Sequence, residues 1–416
     1  MNLAPCFKVL AAAATAFLVP TLRGEVEKPL GTFASSGALD PTIYDHPDLR
    51  GVLVRVSWAD IEPTPGVFNF TKILQQADAA EAEGKKWSLA VIGGGPGSPD
   101  WLTDDLGAPS IGYSFRGEPG YVLPLFWDAG VQLRIDGLAR ALGGQFDGRA
   151  GLALVYVTQM TSNGIEGHLQ GVTMSTLVAA GYTDQRWIDA GKQAARGFAA
   201  AFPNKPVAFE VHEVNGSEAV PMAIIDGLWN DPALDHRVGA AMWWISGKIS
   251  YQPDLVAALT AFSGDIYGQV IGRSDQPERF EGGDYSSMFA QAKEIGIRYL
   301  EPWEFDFKTG PNGANGSWDG NLAEFNAWAD VAYGSDAIRE TRLRCQLADG
   351  GLQLGWEGIA GHTYKVECSG DLADWERLTE VTPAVDGPVT VSDPGIGGKT
   401  SGFYRLKLVG VSAPAP

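Results

Sequence analysis

The chain has 416 residues, and 50 acidic against 31 basic side chains give it a formal charge of −19 at pH 7. That length holds two domains, or one barrel-sized domain with an appendage, and 45% hydrophobic with 19% charged residues excludes a disordered, collagen-like or coiled-coil chain. No basic stripe interrupts the negative charge, which argues against nucleic acid and anionic membrane as partners and makes a neutral ligand the easier one to hold. The 13 Trp and 53 Gly suit many tight loops and flat apolar surfaces, a combination common where sugars bind. At the start, Met1–Lys8 carries one positive charge, Val9–Leu22 is an apolar, Ala-rich run, and Arg23-Gly24-Glu25 ends it. This is the layout of a secretory signal peptide over residues 1–23, so the expected location is extracellular or periplasmic. A buried N-terminal helix is the alternative. The run is shorter than a membrane span needs, and no later segment is apolar enough to supply one.

From Gly31 to Gly334, short apolar or β-branched runs alternate with amphipathic helical stretches. The candidate strands are Gly31–Gly37, Val52–Trp58, Trp87–Gly93, Leu152–Thr158, Val207–His212, Gly239–Ile245, Ile266–Ile271 and Ile297–Pro302. Helices are expected at Thr71–Glu83, Val131–Leu142, Trp187–Ala201, Pro253–Phe262, Tyr285–Ile295 and Leu322–Ala332. The fold class is therefore α/β, a (β/α)₈ TIM barrel over residues 24–338. A doubly wound sheet fits less well, because Gly93-Gly94-Gly95-Pro96-Gly97 runs into Ser-Pro-Asp and does not open a helix that could cradle phosphate. After Ile338, short strands separated by Gly, Asp and Pro (Leu343–Leu347, Leu352–Trp356, Thr363–Cys368, Trp375–Leu378, Val389–Val391, Phe403–Leu408) form a small all-β sandwich module over 339–411. Cys345 and Cys368 fall in it, either as a disulfide or as two free thiols. No Cys/His spacing suggests a metal, and no cofactor is implied.

The string R-x-x-W-x-x-I-E-P-x-x-G-x-F-x-F (Arg55–Phe70), a helix with Gly84-Lys85, and a strand reaching Pro99-Asp100-Trp101-Leu102 resemble the retaining (β/α)₈ glycoside hydrolase superfamily of β-galactosidases, xylanases and cellulases. The resemblance implies an active site at the C-terminal strand ends with two carboxylates. It also gives Arg55 the role of bracing the nucleophile; an ion pair inside the barrel is that residue's structural alternative. Glu62, in the Trp-x-x-Ile-Glu-Pro turn, is expected to cap loop amides. The C-terminal pattern Leu354–Glu367, Trp375 and Phe403–Leu406 is similar to β-modules appended to secreted bacterial proteins, with cell-surface or matrix contact as its implied use.

A glycosidase needs one carboxyl to protonate the leaving oxygen and a second as nucleophile or base. After the fourth strand, Thr158-Gln159 stands where the family has Asn-Glu, and the nearest acid is Glu166, taken as general acid, with Asn163 and His168 as orienting or substrate groups. The seventh strand ends in Gln269 without an acid, while the eighth ends Glu301-Pro302-Trp303. An acid inside an apolar strand is costly unless used, so Glu301 is the second candidate, with an ion pair to Arg55 as its alternative. If Gly31–Gly37 were not the first strand, the count would shift and His212-Glu213 would supply the acid; Glu213 is the runner-up. Candidate substrate contacts are Arg55, Trp58, Trp101, Asp128, Gln159, Asn163, His168, Trp244, Gln269 and Trp303, since sugar faces stack on flat rings. Trp243 and Trp244 are consecutive, so only one is expected to face the lumen. The expected function is a secreted glycoside hydrolase for a neutral or lightly substituted polysaccharide or glycoside. A catalytically inactive glycan-binding barrel is the alternative.

Overall fold

The computed structural model describes residues 26–333, 343–348, 351–358, 362–370, 376–385, 387–393 and 403–411. The leader expected over 1–23, the boundary at 338/339 and Trp375 lie outside them. Eight parallel strands close a barrel: β1 (Gly31–Ala34), β2 (Gly51–Ser57), β3 (Lys86–Ile92), β4 (Leu152–Tyr156), β5 (Val207–Glu210), β6 (Val238–Ile245), β7 (Ile266–Val270) and β8 (Ile297–Glu301). Each pairs with its sequence neighbours, and β1 closes on β8 through Gly31↔Tyr299 and Thr32↔Leu300. The covering helices are α1 (Thr71–Ala82), α2 (Ala129–Phe146), α3 (Asp184–Ala201), α4 (Ala219–Trp229), α5 (Pro253–Ala261), α6 (Ser286–Ile295) and α7 (Asp319–Tyr333). Between β1 and β2 a 3₁₀ turn, Pro41–Ile43, stands where a full helix would.

Side chains alternate along each strand, which divides the apolar residues into two cores. Val52, Val54, Leu89, Val91, Val155, Phe209, Met242, Ile266 and Leu300 face the helices. Phe33, Leu53, Ala90, Leu154, Tyr156, Ala208, Ala241, Trp243, Tyr267 and Tyr299 fill the barrel. At the N-terminal floor, Asp265 accepts from both Arg298 and Lys28, all largely buried. This buried ion-pair cluster closes the end of the barrel opposite the C-terminal ends of the strands, the end that in this fold carries stability.

Among the described residues, six further strands follow the barrel: β9 (Arg344–Ala348), β10 (Gly351–Gly358), β11 (His362–Ser369), β12 (Glu376–Val381), β13 (Gly387–Asp393) and β14 (Phe403–Val411). They form two antiparallel sheets, ordered β9-β10-β13 and β12-β11-β14. Leu354 and Trp356 of one sheet meet Tyr364 and Val366 of the other in a separate core. Cys345 is exposed and Cys368 buried, and both are free.

Candidate active site

A cleft of about 870 Å³ opens at the C-terminal ends of the strands. Its floor and walls come from Arg55 on β2, Ile92 on β3, Trp243 and Trp244 on β6, Gln269 on β7, and Trp303 just past β8. Loops complete it: Asn163, Glu166 and His168 after β4, His212 after β5, Tyr251 after β6, and Arg273, Gln276 and Arg279 after β7. An antiparallel hairpin, Ser110–Phe115 with Glu118–Pro124, contributes Phe115 and Arg116 at its tip. Phe115 lies nearly parallel to the His168 ring, with centroids 6.0 Å apart.

Glu166 is placed by the loop after β4. The Asn163 side chain accepts from the amide of Glu166 at 2.9 Å and of Ile165 at 3.3 Å, fixing the turn that carries the acid. Gln159, buried below, donates to the carbonyls of Ile165 and Glu210 and so struts the same loop against β5. The Glu166 side chain is 24% exposed, with one oxygen 3.5 Å from His168 Nε2. Burial is the largest influence on its carboxyl and raises the pKa, with Glu210 adding to the rise and His212, Asn163 and Arg116 opposing it. Burial also holds His168 down to about 3 and His212 to about 4, so both imidazoles are neutral at pH 7.

Glu210, at the end of β5, is buried beside them; one oxygen accepts from the Trp243 amide at 3.0 Å, and the other accepts from the Gly167 amide and lies 3.0 Å from His212 Nδ1. Burial lifts its pKa well above the ordinary carboxylate value. This group ties the loop after β4 to β5 and β6, and it escaped the sequence reading. Its signal was an acid ending an apolar run, the same signal that singled out Glu301.

Glu301 points into the barrel from β8, but it is 0% exposed and does not line the cleft. Ser88 (3.2 Å), Tyr156 (3.0 Å) and Tyr299 donate to one of its oxygens, and Gln269 Nε2 donates to the other at 2.7 Å. Burial pushes its pKa up to about 7 against those donors. Among the described residues it makes no ion pair, so the alternative pairing with Arg55 is absent. Gln269, which does line the cleft, stands between Glu301 and the open space.

Several expected contacts are structural. Trp58 is 0% exposed, bonds to Glu62 Oε2 at 2.6 Å and packs edge-on against Trp101, whose indole donates to the Glu62 carbonyl. The other Glu62 oxygen accepts from the Gly66 amide at 2.7 Å, the loop-capping role read from the turn. Asp128 caps α2 by accepting from Gly130 and Val131 amides, away from the cleft. Gln159 is an internal strut, and Glu213 does not line the cleft; its amide donates to Gln252. Arg55, Asn163, His168, Trp244, Gln269 and Trp303 do line it. Both Trp243 and Trp244 touch the cleft, but only one of them faces the barrel lumen, as the alternation requires. Trp243 belongs to the barrel interior and Trp244 to the outer core, where it contacts Tyr251 and His212 at the rim. Phe115, Arg116, Tyr251, Arg273 and Arg279 were missed because they sit on loops whose course periodicity does not reveal.

No family model and no curated protein sequence matches the chain. Its shape is similar to solved xylanases. One is an intracellular xylanase from Thermoanaerobacterium saccharolyticum, a mutant in complex with xylotriose (15% identity, 68% of this chain and 90% of that one, TM-score 0.41). A second is xylanase 10B from Thermotoga petrophila RKU-1 with xylobiose (12%, 66% and 82%, 0.42). A third is described as GH10 from Paenibacillus barcinonensis (14%, 66% and 83%, 0.40).

Proposed function

We propose that the chain is a secreted glycoside hydrolase in which Glu166 protonates the glycosidic oxygen of a glycan bound in the C-terminal cleft. The observation that carries this reading is the state of Glu166: the cleft's one carboxyl side chain among the described residues, held among aromatic rings with its pKa raised by burial. A raised pKa keeps a carboxyl protonated closer to neutrality, which is what a general acid requires. Asn163 fixes the loop, and Arg116, already opposing the rise in pKa, favours the carboxylate left after proton donation. Trp303, half-buried in the cleft wall, offers an indole to a sugar ring.

The second carboxyl favours another reading. Glycosidases of both stereochemical types flank the scissile bond with two carboxyl groups, about 5–9.5 Å apart. Glu301 is sealed beneath Gln269, and Gln159 and Gln269 occupy the fourth and seventh strand ends. A cleft that binds glycan without turning it over fits that arrangement. Reducing-sugar release from a polysaccharide panel by wild type, Glu166→Gln and Glu301→Gln, with binding to the same panel by calorimetry, separates the two. Turnover in the wild type that falls at least about a hundredfold in Glu166→Gln, with binding retained, supports the hydrolase. Binding without turnover in the wild type makes Glu166 a ligand contact.

A further inference from the structure

The cleft carries more positive charge than a neutral glycan needs. Arg55, Arg116, Arg273 and Arg279 line it, against the single carboxyl of Glu166, and the two lining imidazoles are uncharged at pH 7. Arg273 is paired with Asp275 at 2.7 Å. Among the described residues no carboxylate lies within ion-pair distance of Arg55, Arg116 or Arg279. Arg279 donates to the Ile271 carbonyl at 2.9 Å, and Arg116 stands 5.0 Å over the Phe115 ring. In a chain with 50 acids to 31 bases, three guanidiniums on one concave face that lie beyond ion-pair distance of any described carboxylate run against composition.

Resting on the reading of the cleft as a glycan site, we propose that its glycan is anionic, a sugar chain bearing uronate carboxylates or sulfate esters. A guanidinium presents paired N–H donors in a planar fork that matches either group, and the match is stronger in a partly desolvated cleft than in water. The aromatic faces take the ring and the arginines take the charge. This departs from the neutral ligand expected from the overall charge, because net charge describes the whole surface and not one concavity.

The test is calorimetry on the full chain with three sets of oligosaccharides of matched length: neutral xylo- and cello-oligosaccharides, oligogalacturonates, and sulfated carrageenan fragments. At least one anionic set should bind about tenfold or more tighter than the neutral set. The exposed pair Arg116→Gln/Arg279→Gln should lower the ratio of anionic to neutral affinity by about tenfold, with the melting temperature unchanged. The two anionic arms decide between carboxylate and sulfate. Equal or better binding of the neutral set overturns the anionic assignment and leaves the glycan site standing. An anionic preference that survives the double substitution overturns the arginine assignment. Failure of all three sets to bind the folded protein removes the glycan reading itself.

Discussion

Glu301 has four partners, and all of them donate: Ser88, Tyr156 and Tyr299 to one oxygen, Gln269 to the other. Those bonds favour the ionised form, yet full burial outweighs them and lifts the pKa from 4.5 to about 7. Between those values the folded chain keeps a proton that the unfolded chain has lost. The stability this group contributes is therefore complete below pH 4.5 and disappears as pH rises through 7. His168 and His212 carry the opposite sign: with folded values near 3 and 4, their contribution is present above the unfolded value of about 6.5 and is lost as pH falls. Glu301→Gln isolates the first effect, because both proteins keep the histidines. Urea unfolding at pH 5 and pH 8 should show wild-type stability falling relative to the variant, by no more than about 3 kcal/mol over the window. A difference that stays constant with pH would mean that Glu301 is already ionised in the fold.

The glycine run after β3 does its work at the level of elements. Gly93 and Gly164 lie back to back: the Gly93 amide donates to the Gly164 carbonyl at 3.2 Å, and a Cβ on Gly164 would sit 2.1 Å from the Gly93 carbonyl oxygen. Gly164 also has φ +84°, a conformation costly for any L side chain. Two loops are thus locked together next to Glu166, and a methyl group at Gly164 must part them. Gly164→Ala should cost about 2 kcal/mol or more in urea unfolding and weaken both glycan binding and any turnover. An unaltered unfolding midpoint would show that the loops separate freely. All eight barrel strands were legible in the sequence because strands buried on both faces read as continuous apolar runs. The hairpin at 110–124 was not: its exposed, interrupted alternation resembles loop. Nor was α4, where Val220, Pro221, Ile224, Ile225 and Leu228 are all buried and a proline sits in the first turn, so no polar face marks the helix. The strand ends told where chemistry could occur, and so picked out Gln269 and Trp303, while Arg55 followed from the family resemblance. They did not tell which loops fold inward, so Trp58 and Trp101 read as platforms although they pack on each other beneath the Glu62 turn.

At the scale of the whole molecule, a −19 surface surrounds a cleft with unpaired arginines, and the two fields have different ranges. At about 10 mM salt the screening length is near 30 Å, so an anionic ligand feels the acidic body as well as the cleft; at about 150 mM it is near 8 Å and the cleft acts almost alone. For the wild type, added salt weakens the contacts with the arginines and relieves the repulsion together, so the two changes offset. With Arg116→Gln/Arg279→Gln most of the attraction is gone and the repulsion remains. Affinity of the double variant for a short oligogalacturonate should then rise with salt, while that of the wild type stays level or falls. Calorimetric titrations at four salt concentrations give both slopes. Identical slopes would mean that these two guanidiniums do not face the ligand's charge, whereas a more positive slope in the variant places the attraction in the cleft and the repulsion in the surrounding surface.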